Sequence, residues 1–163
     1  MATARDDLYY RDWYRWAREQ ADGLRKLADE RINTDLELER VAEEIDELAD
    51  SRRDQLHSQL RRTIEHLLKL EYSPAPFPRR MWRLTVREAR MRIGRLLTGV
   101  LENEARAELP ETYAEARELA VEAMREFRED AAADAVPATC PYTFEQIVDR
   151  SWLPPSRAGV AEE

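Results

Sequence analysis

Residues 34–72 read TDLELERVAEEIDELADSRRDQLHSQLRRTIEHLLKLEY, and they carry the pattern of one long α-helix. The segment contains no glycine and no proline, and its apolar residues recur at spacings of three and four, as on an amphipathic helix. This apolar seam consists of Val41, Ile45, Leu48, Leu56, Leu60, Ile64 and Leu67. Thr34 and Glu37 are spaced as in a capping box, which satisfies backbone N–H groups at a helix start. An unbroken helix here is about 57 Å long at about 1.5 Å per residue.

Four more helices are predicted around this one. A connector with three prolines, S-P-A-P-F-P at 73–78, ends the long helix because proline fixes φ and lacks a backbone donor. Thr143 and Gln146 have the spacing of a second capping box. In chain order, the five predicted helices begin near Asp6 or Asp7, Thr34, Pro78, Pro110 and Thr143. Short connections between amphipathic helices favour antiparallel neighbours. We therefore predict an all-α fold, an antiparallel bundle of four main helices plus a short C-terminal helix.

The length of 163 residues predicts one domain. We place this single helical domain at residues 1–155 and expect residues 156–163 to form a disordered tail. Cys140 is the only cysteine, so neither an internal disulfide nor a thiolate zinc site is expected. The N-terminus has no signal-peptide pattern, and no apolar run reaches the length of a membrane span. The sequence thus predicts a soluble cytoplasmic protein with no membrane partner.

Charge is strongly polarised along the chain. Residues 79–95 hold seven arginines and one glutamate, a net charge of +6 in a chain whose total is −8. Residues 29–50 hold ten acids and two arginines, a net charge of −8. The acidic total argues against a general nucleic-acid coat protein, because non-specific binding to nucleic acid depends on positive potential.

Arg83, Arg87 and Arg90 lie about 100° from the centre of the third helix's apolar seam, at the edge of the predicted core. Two interpretations compete for these residues. They pair with acids of the second or fourth helix, or they form, with Trp82, a candidate site for phosphate, nucleic acid or an acidic partner. The abundance of internal acid favours the first interpretation.

Glu43, Glu44 and His66 form a candidate polar network on the second helix. Glu44 and His66 flank the seam at similar angles, but 22 residues, about 33 Å along a straight helix, separate them. They meet only if the chain bends, and a histidine at the edge of a core is more often structural than catalytic. The network therefore gives no catalytic assignment.

The remaining chemistry is sparse. An acidic face with one histidine on the second helix points away from the seam into solvent, and the second Glu-x-x-His of a di-metal bundle is missing from the sequence. We therefore expect no metal and no cofactor. Cys140 precedes a helix start that can lower a thiol pKa, but a lone cysteine is more often a small buried apolar group.

Several motifs together resemble a known family. They are D-L-Y-Y-R-D at 7–12 with Trp16, E-E-I at 43–45, S-R at 51–52, H-L-L-K at 66–69, Tyr72 and Pro74, W-R-x-T-V-R-E-x-R at 82–90, C-P-Y-T-F-E-Q-I at 140–147 and L-P at 153–154. In this order and spacing they resemble the bacterial domain-of-unknown-function family 29 over about residues 7–154. The resemblance implies an α-helical bacterial protein without an assigned reaction. It draws attention to His66, Trp82, Arg83, Arg87 and Arg90 without giving them a role.

Long amphipathic helices, four tryptophans and the lack of a catalytic motif favour a non-enzymatic module that binds a protein partner or self-associates. The alternative is a small nucleic-acid or phosphate-handling enzyme. It would use Arg83, Arg87 and Arg90 for anions and Glu44 or His66 for acid–base or metal work. Of the two kinds of partner, a protein is favoured over nucleic acid.

Overall fold

The computed structural model describes residues 4–160, with side chains from Asp7 onward, and every regular element in this part of the chain is a helix. The helices are α1 (Ala4–Arg11), α2 (Trp13–Asp29), α3 (Leu38–Tyr72), α4 (Arg79–Leu96), α5 (Gly99–Ala107), α6 (Leu109–Glu126), α7 (Asp130–Ala135) and α8 (Phe144–Val148). The all-α prediction is confirmed, while the antiparallel four-helix arrangement stays a prediction. The side chain of Asp6 and residues 161–163 of the predicted tail lie outside the described residues.

The chain divides into two compact units. The first consists of Met1–Gln55 and Leu96–Glu104, and the second consists of Leu56–Arg95 and Ala105–Glu163. Helices α3, α4 and α5 contribute residues to both units, and α4 contributes only Leu96 to the first. In the part of the chain that the structure covers, no helix combines the length and apolar character needed to cross a bilayer.

The predicted long helix is present as α3, with 35 residues, but the capping box at its start was wrong. The hydroxyl of Thr34 accepts a hydrogen bond from the backbone N–H of Leu36 at 3.2 Å, so it closes a local turn instead of capping a helix. The first turn of α3 forms further on, where the N–H of Val41 donates to the carbonyl of Glu37 at 3.0 Å. Glu37 thus precedes the helix and does not lie inside it.

The first half of the predicted apolar seam was wrong at two positions, Val41 and Leu48, while Ile45 is half-buried. Val41 and Leu48 are 41% and 59% exposed, whereas Ala42 and Ala49 are fully buried. The large aliphatic residues pointed to a buried face at Val41 and Leu48, but the buried positions are the next residues along the chain, Ala42 and Ala49. Alanine, with its small side chain, occupies the buried face here. From Leu56 onward the seam lies as predicted.

Asp12 divides the predicted first helix into α1 and α2. Its carboxylate Oδ1 accepts from the N–H of Arg15 at 3.0 Å, which caps the start of α2. The same carboxylate accepts from the hydroxyl of Thr98 and from the N–H of Val100, both at 3.0 Å, at the start of α5. One buried acid therefore serves the N-termini of two helices, α2 and α5, and α5 begins as a separate helix after α4 ends at Leu96.

In the second unit, the second capping box is confirmed. Thr143 Oγ1 accepts from the N–H of Gln146 at 3.2 Å, and Gln146 Oε1 accepts from the N–H of Thr143 at 2.9 Å. The segment after α8 returns to the end of α3, where the N–H of Arg157 donates to the carbonyl of Glu71 at 2.7 Å. Residue 157, within the segment expected to be a tail, is thus bonded to the body of the second unit.

Replacement of Asp12 by alanine removes one cap and two further hydrogen bonds, and we expect it to lower the free energy of unfolding by about 2 to 3 kcal/mol. Urea unfolding followed by far-ultraviolet circular dichroism measures this change. Asp7→Ala is the matched control, because Asp7 makes an exposed pair with Arg11 and should contribute less than about 0.5 kcal/mol. Equal unfolding midpoints for the two variants would contradict the role of Asp12.

Candidate functional site

Arg90 lies on the inner side of α4 and is almost completely buried, with 2% of its surface exposed. Its Nε donates to the carbonyl of Ile147 at 2.8 Å, and its terminal nitrogens donate to the carbonyls of Trp152 at 2.7 Å and Gln146 at 2.8 Å. Gln146 and Ile147 belong to the last turn of α8, where a helix leaves carbonyl groups without an internal partner. Arg90 therefore caps the C-terminus of α8 and ties the following segment to α4.

For Arg90, the structure shows neither of the two expected arrangements. The guanidinium meets backbone carbonyl groups, and it reaches neither a carboxylate nor open solvent. Burial lowers the pKa of Arg90 to about 10, and the charge of Asp149 opposes this shift. The group therefore stays protonated at neutral pH and keeps all of its donors. Because each of its three nitrogens is engaged within the chain, Arg90 does not face an external anion.

Two other arginines of the second unit act in the same way. Arg79 is buried, and its terminal nitrogens donate to the carbonyls of Leu70 at 2.8 Å and Ser73 at 3.4 Å, at the end of α3. Arg117 donates to the carbonyls of Pro137 at 2.8 Å and Val136 at 3.1 Å, just after α7. Part of the basic segment therefore serves the ends of helices.

The four candidate residues of α4 point in different directions. Arg90 is buried, Arg83 is half-buried, and Arg87 is exposed. Trp82 lines a pocket of the second unit. The predicted stripe of three arginines beside Trp82 is thus not assembled on one open surface, and the pocket at Trp82 becomes the feature of interest.

This pocket has a volume of about 240 Å³. It lies between the end of α3, the proline-rich connector, the first turns of α4 and the end of α6. Its apolar walls are formed by Ala75, Pro78, Trp82, Ala123, Met124 and Phe127, and its polar lining is Lys69, Ser73 and Glu129. Lys69 is paired with Glu65, one helical turn earlier on α3. Lys69 and Trp82 also belong to the motifs that carry the family resemblance.

Large apolar side chains stand in solvent around this pocket. Phe77, in the connector between two prolines, is 92% exposed, and Phe127 at the end of α6 is 78% exposed. Met81, in the first turn of α4, is also exposed. We call these three residues the apolar rim. Phe127 lines the pocket, and Phe77 and Met81 are chain neighbours of its lining residues Pro78 and Trp82. Clustered exposed apolar groups mark binding surfaces more often than single exposed residues do.

Two acids of the acidic segment 29–50, Asp46 and Asp50, are paired with arginines of the first unit. Asp46 accepts from Arg18 at 2.7 Å and from Arg25 at 2.5 Å, and Arg18 also bonds Asp50. Burial raises the pKa of the Asp46 carboxyl, but the hydrogen bonds from Arg25 and Arg18 outweigh burial and leave the pKa below its ordinary value. The arginines that meet Asp46 thus come from α2.

The candidate polar network is not gathered at one place. Glu43 and Glu44 are exposed residues of the first unit. His66 belongs to the second unit and is half-buried, and its Nδ1 lies 2.9 Å from the carbonyl oxygen of Arg62. Burial lowers the pKa of the His66 ring. The ring is therefore a neutral donor to its own helix backbone.

A buried carboxylate that the sequence analysis missed lies at Glu71. Its Oε2 accepts from the hydroxyl of Tyr142 at 2.6 Å, and its Oε1 accepts from Nε of Arg157 at 2.6 Å. Burial, together with the hydrogen bond to Glu71, raises the pKa of Tyr142. The sequence offered one signal for this buried acid, since Glu71 lies beside Tyr72 at the end of an apolar run. Its partners are more than 70 residues away, so spacing alone did not reveal them.

Cys140 is half-buried, and its thiol lies 3.4 Å from the carbonyl of Tyr142. Burial raises the pKa of the thiol. The lowering that its position before α8 suggested is therefore not found, and the geometry does not make Cys140 an activated nucleophile.

The described residues thus form an all-α protein in which arginines bond to carbonyls at helix ends and the second unit carries an apolar pocket. The chain belongs to the family described as domain of unknown function DUF29, whose model matches residues 8–153. A similar solved structure is an α-helical protein of unknown function from Rhodospirillum rubrum ATCC 11170. It is 24% identical, covers 88% of this chain and 90% of its own, and has a TM-score of 0.78. That likeness shows the fold alone, and none of the curated proteins compared matches the chain.

Replacement of Arg90 by lysine keeps the charge but removes the three-way fork, and it leaves buried carbonyls without donors. We expect a loss of about 3 kcal/mol or more in the free energy of unfolding, measured by urea unfolding. Arg87→Lys, one turn away and exposed, is the matched control and should change stability by less than about 0.5 kcal/mol. A tolerated Arg90→Lys variant would show that the carbonyl bonds contribute little.

The lowered pKa of Asp46 predicts a pH-dependent contribution to stability. Because the folded pKa lies below the unfolded value of about 3.9, the contribution is present above that pH and is lost as pH falls through the folded pKa. Wild type should be more stable than Asp46→Asn by about 1 kcal/mol at neutral pH, with the difference shrinking below about pH 4. Urea unfolding across this range, with the exposed Asp22→Asn variant as control, provides the test. A difference that stays constant with pH contradicts the assignment.

Proposed function

We propose that this chain is a non-enzymatic protein-interaction module, and that the pocket with its apolar rim receives the partner. The observation that carries the proposal is the exposure of Phe77, Met81 and Phe127 around an apolar cavity in an otherwise highly charged protein. Burial of one such side chain stabilises a complex by about 1.5 to 3 kcal/mol. A partner that covers the rim therefore has a ready source of binding energy.

The chemistry of the pocket favours an apolar side chain as the group that enters it. A volume of about 240 Å³ exceeds the roughly 150 Å³ cavity that holds a benzene ring in a protein core. Trp82 and Phe127 offer aromatic surfaces against which a ring packs with favourable edge or stacked geometry. Lys69 is already paired with Glu65, and six of the nine lining residues are apolar. The expected anchor is thus an aromatic or branched aliphatic side chain on the surface of a protein.

The alternative, an enzyme that handles nucleic acid or phosphate, has weaker support. It relied on Arg83, Arg87 and Arg90 acting together, and Arg90 is engaged with three carbonyls of its own chain. The two residues that this enzyme would use for acid–base work, Glu44 and His66, are also weakly supported. Glu44 belongs to the first unit, and His66 donates to its own helix.

A library of random peptides displayed on phage, selected against the purified protein, tests the proposal. Ala123→Phe places a ring inside the pocket, and Ala114→Phe makes the same change at an exposed position of the same helix. We expect the enriched peptides to share an aromatic or leucine anchor. We also expect them to bind wild type and Ala114→Phe equally and to lose most of their affinity for Ala123→Phe.

Circular dichroism spectra and unfolding midpoints establish that both variants are folded before binding is compared. Phe127→Ser, which changes the rim without filling the cavity, is a second variant that should weaken binding. Selection of peptides that bind Ala123→Phe and Phe127→Ser as well as wild type would contradict the proposal. So would a failure of the library to yield any binder that depends on the pocket, in a protein that does not associate with itself through the pocket either.

A further inference from the structure

Building on the proposed function, we infer that the partner is a second copy of this chain. Each copy inserts its Phe77 side chain into the pocket of the other. The contact is two-fold symmetric, so that the same patch of surface is used on both copies.

Phe77 is well suited to be the inserted group. It is the most exposed of the large apolar residues that the structure describes, with 92% of its surface in solvent. Pro76 and Pro78 flank it, and each fixes its own φ. A ring held on such a stiff segment loses little conformational freedom on binding, so more of its burial appears as affinity.

The pocket lies next to Phe77 on the same surface. Ala75 and Pro78, on either side of the phenylalanine along the chain, both line the cavity. A patch that contains both an inserting group and the cavity that fits it is self-complementary, as an isologous dimer contact requires. In such a contact the exposed ring and the cavity of each copy are buried together.

The charges around the pocket are also complementary to one another. On the α4 side, Arg80 is exposed next to the rim. On the α6 side, residues 126–130 hold three acids and one arginine, a net charge of −2. A two-fold contact that exchanges the Phe77 side chains can place the basic side of one copy against the acidic side of the other. Such local attraction offsets the repulsion between two chains that each carry a net charge of −8.

Size-exclusion chromatography with light scattering, over a wide range of protein concentration, measures the association. We expect wild type to form dimers. Phe77→Ser removes the inserting ring, and Ala123→Phe fills the cavity. Each change acts twice per dimer, so each should weaken association by about a hundredfold or more. Tyr10→Ser and Ala114→Phe, which alter an exposed ring and an exposed alanine elsewhere, are the matched controls and should remain dimeric.

A mixture of the two disruptive variants gives a sharper test. Ala123→Phe still has its Phe77, and Phe77→Ser still has its cavity, so a mixed dimer restores one of the two insertions. The mixture should therefore associate more tightly than either variant alone. Phe77 makes little contact with its own chain, so Phe77→Ser should fold normally, and circular dichroism verifies this.

A wild type that stays monomeric at every concentration overturns the inference. So does a dimer that survives in Phe77→Ser and Ala123→Phe, because association then uses another surface. Neither result removes the proposed function, which the peptide selection tests separately. If pocket-dependent peptides are found while the protein is monomeric, the surface binds a different protein. If neither peptides nor dimers depend on the pocket, both proposals fail.

Discussion

The second unit depends on guanidinium groups that satisfy backbone carbonyls at the ends of helices, and two of them, Arg79 and Arg90, are buried. Helices commonly end with a glycine in the left-handed conformation, and this chain has only four glycines in 163 residues. Arg79 serves the end of α3, Arg90 serves the end of α8, and Arg117 serves the segment after α7. At the end of α6, Arg128 itself takes the left-handed position, with φ of 61°, that glycine usually occupies. The chain thus uses arginine where many proteins use glycine.

This use of arginine changes the meaning of the basic segment. Its net charge of +6 suggested a surface for anions, but Arg79 and Arg90 point inward and bond to the backbone. The most conspicuous feature of the sequence is therefore partly structural. What remains for function is the opposite kind of surface, the apolar pocket beside Trp82 and its exposed rim. The stiff connector both ends α3 and presents Phe77, so one short segment links the fold to the proposed contact.

Local patterns predicted the fold class well, because they depend on neighbours in the chain. The helical periodicity, the proline break at 73–78 and the Thr143–Gln146 capping box all appear in the structure. The capping box at Thr34 failed because its hydroxyl serves a local turn, and the seam at Val41 and Leu48 failed because alanines take the inner face. The partners of Arg90 and Glu71 lie more than 50 residues away, and Arg90's partners are backbone carbonyls, which every residue carries. No residue type could therefore mark the partners of Arg90. The pocket was equally hidden, because it forms only where residues 69–82 meet residues 123–129.

Nuclear magnetic resonance can observe the bonds of Arg90 themselves. In protein labelled with ¹³C and ¹⁵N, a scalar coupling across a hydrogen bond connects the donor nitrogen to the carbonyl carbon of the acceptor. The account predicts such a coupling between Nε of Arg90 and the carbonyl carbon of Ile147, together with slow exchange of the Nε–H with water. An Arg90 Nε–H that exchanges as fast as that of exposed Arg87, with no coupling to Ile147, would contradict it.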